Sequence, residues 1–176
     1  LAEAGFYPKD ETLTLRKFGS GLQGHPSRDF KLPGVETSAG SLGQGLGIAI
    51  GMALSAKMDD KNYRTYCVMG DGELQEGSVW EAAMAASNYR LDNLCAIIDR
   101  NKLQIDGSTE NVMALEPLAE KWSSFGWNVV EIDGHDHNDI IDAFAIARAT
   151  IGQPTLVLAN TVMGKGVKSI ENDNKH

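Results

Sequence analysis

The chain has 176 residues, with 16 Lys and Arg against 24 Asp and Glu, a formal net charge of −8. Acidic surfaces repel nucleic acid and anionic membranes, so neither is an expected partner. Hydrophobic residues make up 42% and charged residues 23%, which provides for a packed core and excludes a disordered chain. The 19 glycines exceed the ordinary ~7% and follow no collagen or linker repeat. They point to places where backbone must come close to something. No apolar run is as long as the ~18 residues of a membrane-spanning helix. The opening Leu1-Ala2-Glu3-Ala4 has neither Met nor a signal segment, and the expectation is a piece of something longer. Residues 1–176 are expected to form a single α/β domain. Cys67 and Cys95 lie inside apolar runs and read as small buried hydrophobes of a reducing, cytoplasmic compartment.

Residues 1–40 read as a short helical start followed by loop, with turn chemistry at Gly24-His25-Pro26 and Leu32-Pro33-Gly34. A helix is predicted over 42–58. In it Gly43, Gly47, Gly51 and Ser55 recur every four residues and would form one smooth stripe. Glycine inside a helix costs about 1 kcal/mol against alanine, so such a stripe implies a close neighbour, either another helix or a partner chain. Beyond Arg64 short β-rich runs alternate with amphipathic stretches. Strands are predicted at 65–69, 93–98, 127–132 and 155–159, and helices at 77–89 and 117–125, the latter with Pro117 in its first turn. A further helix has its inner face marked by Ile140, Ile141, Phe144, Ala147 and Ile151. This alternation, with apolar strands, predicts an α/β fold: a parallel sheet with helices on both faces.

In such a sheet ligands sit at the carboxyl ends of the strands. The first strand runs into Gly70-Asp71-Gly72 and the second into Asp99-Arg100-Asn101. One crossover apart, the two ends share an edge of the sheet, so Asp71 and Asn101 can converge. Each offers a hard oxygen on a short side chain, as Mg²⁺ or Ca²⁺ requires. Gly70 and Gly72 let a phosphate reach the backbone, and the start of the next helix favours negative charge. The pattern describes a metal-diphosphate site. Gly-Asp-Gly is also a common strand-to-helix turn, and it is the Asn at the next strand end that adds to it. His135-Asp136-His137 reads as a loop with a helix-capping residue rather than a metal ligand pair. Lys165 lacks the glycine spacing of a phosphate loop.

The stretch from Gly70-Asp71-Gly72 to Asn101 resembles the thiamine-diphosphate fingerprint, and the text around it resembles the transketolase family. The resemblance is carried by Gly70-Asp71-Gly72-Glu73-Leu74-Gln75-Glu76-Gly77, Trp80-Glu81-Ala82-Ala83, Leu91-Asp92-Asn93-Leu94 and Asp99-Arg100-Asn101-Lys102-Leu103-Gln104-Ile105-Asp106-Gly107. Gly24-His25-Pro26, Leu32-Pro33-Gly34-Val35-Glu36 and Leu42-Gly43-Gln44-Gly45 add to it. The resemblance implies a diphosphate-binding (PP-type) domain in which Asp71, the Asn101 side chain and the Leu103 carbonyl hold Mg²⁺ (or Ca²⁺). Two diphosphate oxygens and a water would complete the octahedral shell. It further implies that Gly40-Ser41-Leu42, Gly70, Gly72, Asn101 and Ile105 line thiamine diphosphate, that His25 binds substrate, and that Glu76 lies between the two active sites. His176 would belong to a histidine-glycine segment near the cofactor. Ser41 departs from the proline that the family often has there, which still leaves a backbone contact.

In that family the glutamate that activates the cofactor belongs to a pyrimidine-binding domain, which these residues do not include. The resemblance therefore implies the diphosphate-binding half of a transketolase. It would transfer a two-carbon ketol unit between sugar phosphates together with a pyrimidine-domain (C-terminal) partner, as a heterotetramer or dimer of halves. Two other readings stand beside it. One is a deoxyxylulose-phosphate or 2-oxo acid enzyme, against which the stretch from Gly72 to Gly77 argues. The other is a catalytically silent, cofactor-binding regulatory module.

Overall fold

The computed structural model describes residues 1–173, and the expectation for His176 lies outside them. The chain divides into two compact units, Leu1–Leu42 and the residues from Gly43 onward. The first holds two short 3₁₀ turns, Lys9–Thr14 and Arg28–Phe30, in place of the helical start that its sequence suggests. It buries no apolar side chain: Ser20 alone is buried, hydrogen-bonded to Thr14, and Phe18, Leu13 and Leu15 are exposed. Turn chemistry governs this unit. The Ser27 hydroxyl accepts the Asp29 N–H at 3.2 Å to cap the second 3₁₀ turn, and Lys31 ends it in the left-handed region.

The second unit is a layered α/β structure. Its elements are α1 (Gly45–Met58), β1 (Thr65–Gly70), α2 (Gly77–Asn88), β2 (Leu94–Arg100), the hairpin β3 (Leu103–Gln104) and β4 (Gly107–Ser108), α3 (Thr109–Val112), α4 (Leu118–Ser124), β5 (Asn128–Asp133), α5 (His137–Ala149) and β6 (Thr155–Asn160). The strands of the main sheet run β1-β2-β6-β5, every neighbouring pair parallel. Residue Gly70 pairs with Asp99 and Asp133 with Asn160, so the carboxyl ends finish level.

Helices cover both faces, unevenly. The larger core packs α1, α2 and α4 around Leu46, Met69, Leu74, Val79, Ile98 and Trp122. Trp122 meets Trp127 edge-on at 4.9 Å and Trp80 at 5.4 Å, and the Trp127 indole N–H donates to Ala83 at 3.0 Å. On the other face, among the described residues, α5 alone packs against the sheet, through Ala143, Ala147 and Phe144. The inner face expected for this helix is therefore corrected in part: Phe144 and Ala147 lie on it, while Ile141 is 61% and Ile151 86% exposed and Ala143 is buried in their stead. Small side chains let the helix approach the sheet, and periodicity alone does not separate them from larger ones. The outward residues of β1 gain little cover, with Val68 73% exposed and Tyr66 meeting only the edge of Phe144.

A second correction concerns α1, which begins at Gly45 rather than at residue 42. Gly43 is thus outside the helix and off the stripe, at φ +80° in the preceding turn. Gly47 and Gly51 do lie on one exposed face with Ile48, Met52 and Ser55, and beyond the adjoining turns of α1 itself no described atom comes within 4 Å of a Cβ built on either glycine. Among the described residues no helix is long and apolar enough to cross a membrane.

Candidate functional site

At the end of β1 the chain turns at Asp71 into a 3₁₀ segment, Gly72–Gln75, and then into α2. Asp71 caps that segment, its Oδ1 accepting the Gly72 N–H at 2.8 Å. The Trp80 indole N–H donates to the Leu74 carbonyl at 2.8 Å and ties the turn to α2. A Cβ on Gly72 would lie 3.0 Å from Cβ of Gln104, so the turn rests tightly against the β3–β4 hairpin.

Asp71 is 1% exposed. Its Oδ2 accepts the Lys102 N–H at 2.6 Å and a guanidinium N–H of Arg100 at 2.9 Å. The backbone following β2 therefore comes directly to the Asp71 carboxylate, and Asp71 and Asn101 lie at the ends of adjacent parallel strands, at one edge of the sheet. The Asn101 Oδ1 accepts the Leu103 N–H at 2.9 Å, which fixes the amide with its oxygen toward the hairpin. A carboxylate offers about four lone-pair directions and an amide oxygen about two. Three donors on Asp71 leave one direction on Oδ1, and one donor on Asn101 leaves one on its Oδ1. Each oxygen is fixed by the protein and, among the described residues, keeps one lone-pair direction that a hard cation could take. No cluster of three or more His, Cys, Asp or Glu that could hold a metal occurs among the described residues, so a cation here would take an amide and a carbonyl beside the single carboxylate.

Gly70 ends β1 and Gly72 begins the turn, on either side of Asp71. The Glu73 carboxylate accepts the Gly43 N–H at 2.9 Å and the Gly70 N–H at 3.3 Å, bridging the entry of α1 to the end of β1. The Ser78 hydroxyl donates to the Gly43 carbonyl at 3.0 Å. Glu76 is exposed, its Cβ against Gly43. Ile105, at the tip of the β3–β4 hairpin, is 90% exposed.

Of the remaining residues singled out from the sequence, His25, Gly40, Ser41 and Leu42 belong to the N-terminal unit. There His25 packs on Gly40. A Cβ on Gly40, whose φ is +138°, would lie 2.8 Å from the imidazole Cγ. Ser41 and Leu42 are exposed. The His135-Asp136-His137 stretch is a loop and a cap as expected: Asp136 accepts the Asn138 N–H at 2.7 Å to start α5, and His135 Nε2 accepts the Val162 N–H at 2.8 Å. Both cysteines are free and buried, and burial pushes each thiol up to about 11.

Two residues of the site carry no signal of their own in the sequence. Glu73 is one letter of a motif there, yet it holds both glycine amides. Arg100 is a strand-end neighbour of Asn101 there, yet it is 2% exposed and bonded to three carboxylates: Asp71, Glu110 at 2.9 Å and Glu116 at 2.7 Å. Burial alone would lower its pKa, and its hydrogen bonds to Glu116, Asp71 and Glu110 reverse this and raise it. The Leu115 N–H and Arg100 hold Glu110 below the ordinary carboxylate value, and the Leu118 N–H and Arg100 do so for Glu116.

A family model described as transketolase, thiamine diphosphate binding domain, matches residues 5–176. The chain belongs to the transketolase family. Over 171 residues it is 50% identical to an apulose-4-phosphate transketolase subunit from Phocaeicola vulgatus, covering 97% of this chain and 60% of that protein. It is 44% identical to the 6-deoxy-6-sulfo-D-fructose transketolase subunit SqwG of a Clostridium species, covering 97% of this chain and 62% of that protein. Human transketolase is 45% identical, with 97% of this chain and 27% of the human protein covered. The crystal structure of transketolase from Campylobacter jejuni superposes with a TM-score of 0.88 at 32% identity, covering 94% of this chain and 27% of that one. The chain thus spans about three-fifths of its subunit-type transketolase relatives and about a quarter of the longer transketolases.

Proposed function

We propose that this chain is the diphosphate-binding half of a transketolase, residues 1–176 acting as one cofactor-binding domain in the cytoplasm. It transfers a two-carbon ketol unit from a ketose phosphate to an aldose acceptor, together with a pyrimidine-binding C-terminal partner. The observation that carries this reading is that Asp71 and Asn101 lie at one sheet edge, each oxygen fixed and each with one lone pair to spare. Asp71, the Asn101 side chain and the Leu103 carbonyl would hold Mg²⁺ or Ca²⁺, which would supply the positive charge that anchors a diphosphate. A hard cation on a buried carboxylate and two neutral oxygens suits the donor chemistry of either ion.

Thiamine diphosphate, when bound, supplies the nucleophilic carbon and the electron sink that ketol transfer needs. The chain's own residues position it. Gly70 and Gly72 admit the diphosphate to the backbone, and Gly40-Ser41-Leu42 and the exposed Ile105 line the cofactor. His25, held against Gly40, hydrogen-bonds the sugar substrate. Glu76 joins the active sites across the interface.

The relatives from P. vulgatus and Clostridium are named as subunits, which supports a partner chain. The exposed face of α1 at Gly47, Ile48, Gly51, Met52 and Ser55 supports a close-packed interface, where backbone-to-backbone approach offsets the helix cost of glycine. The assembly is a heterotetramer of two chains of each kind.

Titration calorimetry on the assembled enzyme tests the site. Asp71→Ala abolishes thiamine diphosphate binding in the presence of Mg²⁺, and Asn101→Ala weakens it severely. Unchanged affinity in Asp71→Ala would sink the assignment. The 176-residue chain alone is expected to be silent in a ketol-transfer assay, and mixing it with its partner restores turnover. Size exclusion with light scattering reads the heterotetramer. Full turnover by the chain alone would refute the half-enzyme reading.

A further inference from the structure

We propose that Arg100 is a positioning residue: it fixes which oxygen Asp71 offers to the metal, and so sets the preference of the site for Mg²⁺ over Ca²⁺. The inference rests on the reading of Asp71 as a metal ligand. Arginine is almost never fully buried without partners, and Arg100, at 2% exposure, has four of its five N–H groups placed. Nη1 donates to Asp71 Oδ2 at 2.9 Å and to the Thr109 hydroxyl at 2.8 Å. Nη2 donates to Glu110 Oε1 at 2.9 Å and to Glu116 Oε1 at 2.7 Å.

The outer half of this fork is itself anchored. Glu110 Oε1 also accepts the Leu115 N–H at 3.1 Å, and Glu116 Oε2 accepts the Leu118 N–H at 2.8 Å. The guanidinium plane is therefore held by the connection between α3 and α4, and it presents Nη1 to Asp71 in one orientation. With Oδ2 taken by Arg100 and Lys102, and Oδ1 sharing the Gly72 N–H, Asp71 is limited to one bond through Oδ1. A planar fork can reach three carboxylates in fixed directions, which the single ammonium of lysine cannot do.

The consequence is selective for the ion. Mg²⁺ demands a near-octahedral shell at short distance, whereas Ca²⁺ tolerates irregular and bidentate carboxylate ligation. Without the Arg100 fork the Lys102 N–H is the single donor left on Oδ2, and the Asp71 carboxylate can pivot about that bond toward a bidentate contact, which costs Mg²⁺ and is tolerated by Ca²⁺. Loss of a partner that orients a metal ligand typically weakens metal affinity by about 10–100-fold.

The test measures thiamine diphosphate affinity by calorimetry in the full protein assembled with its partner, once with Mg²⁺ and once with Ca²⁺. Arg100→Lys should raise the Mg²⁺-supported Kd by about 10–100-fold and the Ca²⁺-supported Kd distinctly less. Glu116→Gln, at an exposed position, should shift the ratio the same way by a smaller factor, and it decides the matter if Arg100→Lys does not fold. Equal weakening with both ions, or no change in the ratio, overturns the proposal. Asp71→Ala separates this from the underlying reading. If Asp71→Ala abolishes binding while the ion ratio stays fixed in the Arg100 and Glu116 variants, the metal site stands and only the role of Arg100 falls.

Discussion

Gly43→Ala is the sharpest probe of how the site is assembled. Gly43 lies at φ +80°, between the Glu73 carboxylate and the Ser78 hydroxyl. A methyl group there would lie 2.6 Å from Ser78 Oγ and 2.7 Å from Glu76 Cβ. A non-glycine residue in the left-handed region costs about 1–2 kcal/mol. Overpacking a filled space adds about 1–3 kcal/mol. The stiffer unfolded chain returns about 0.4–1 kcal/mol. The net loss is about 3 kcal/mol, which for a chain of this size lowers Tm by roughly 6–12 °C. Gly47→Ala is the control: beyond the adjoining turns of α1 its Cβ meets no described atom within 4 Å, and it sits inside α1. There alanine should stabilise the isolated chain by about 0.5–1 kcal/mol. Urea denaturation of both variants, read by circular dichroism, gives the two numbers. A Gly43→Ala chain as stable as the parent would refute the reasoning, because the turn would then have room that the packing denies.

Acid stability follows from the carboxylates around Arg100. Glu110 and Glu116 have folded pKa values below their ordinary 4.5, so the stability they contribute is complete above 4.5 and is lost as pH falls through the depressed values. The double variant Glu110→Gln, Glu116→Gln should flatten the acid limb of a stability-against-pH profile, and a limb of unchanged steepness would count against this origin. His25→Ala should lower kcat or raise KM of the assembled enzyme while thiamine diphosphate affinity stays near the parent value. Loss of cofactor binding would mean that His25 shapes the diphosphate pocket instead. Gly51→Leu should leave the isolated chain folded, since beyond the adjoining turns of α1 no described atom lies within 4 Å of its Cβ, and should weaken association with the partner in light scattering.

The sequence by itself determined the alternation of elements, the parallel sheet and the pair of strand ends that carry Asp71 and Asn101. These are local properties: apolar runs mark strands and helices, and Gly70-Asp71-Gly72 carries its own turn chemistry. Parallel pairing of successive strands then places both ends on one edge with no further information. Tertiary structure alone decided what depends on residues distant in the chain. Arg100 is an ordinary strand-end charge until Glu110, Glu116 and Asp71 close around it, and no periodicity announces that closure. Glu73 looks like a solvated acid until its carboxylate accepts the amides of Gly43 and Gly70. On the inner face of α5 Ala147 and Phe144 stand as expected, but Ala143 replaces Ile141 and Ile151, because the spacing between helix and sheet, which sequence does not contain, selects side-chain size. Gly43 matches the helix stripe in spacing, but its φ of +80° and the atoms around it belong to a turn. Hydrophobic pattern fixes which elements form, and the hydrogen bonds that orient the site's side chains are set by distances that exist only once those elements are packed.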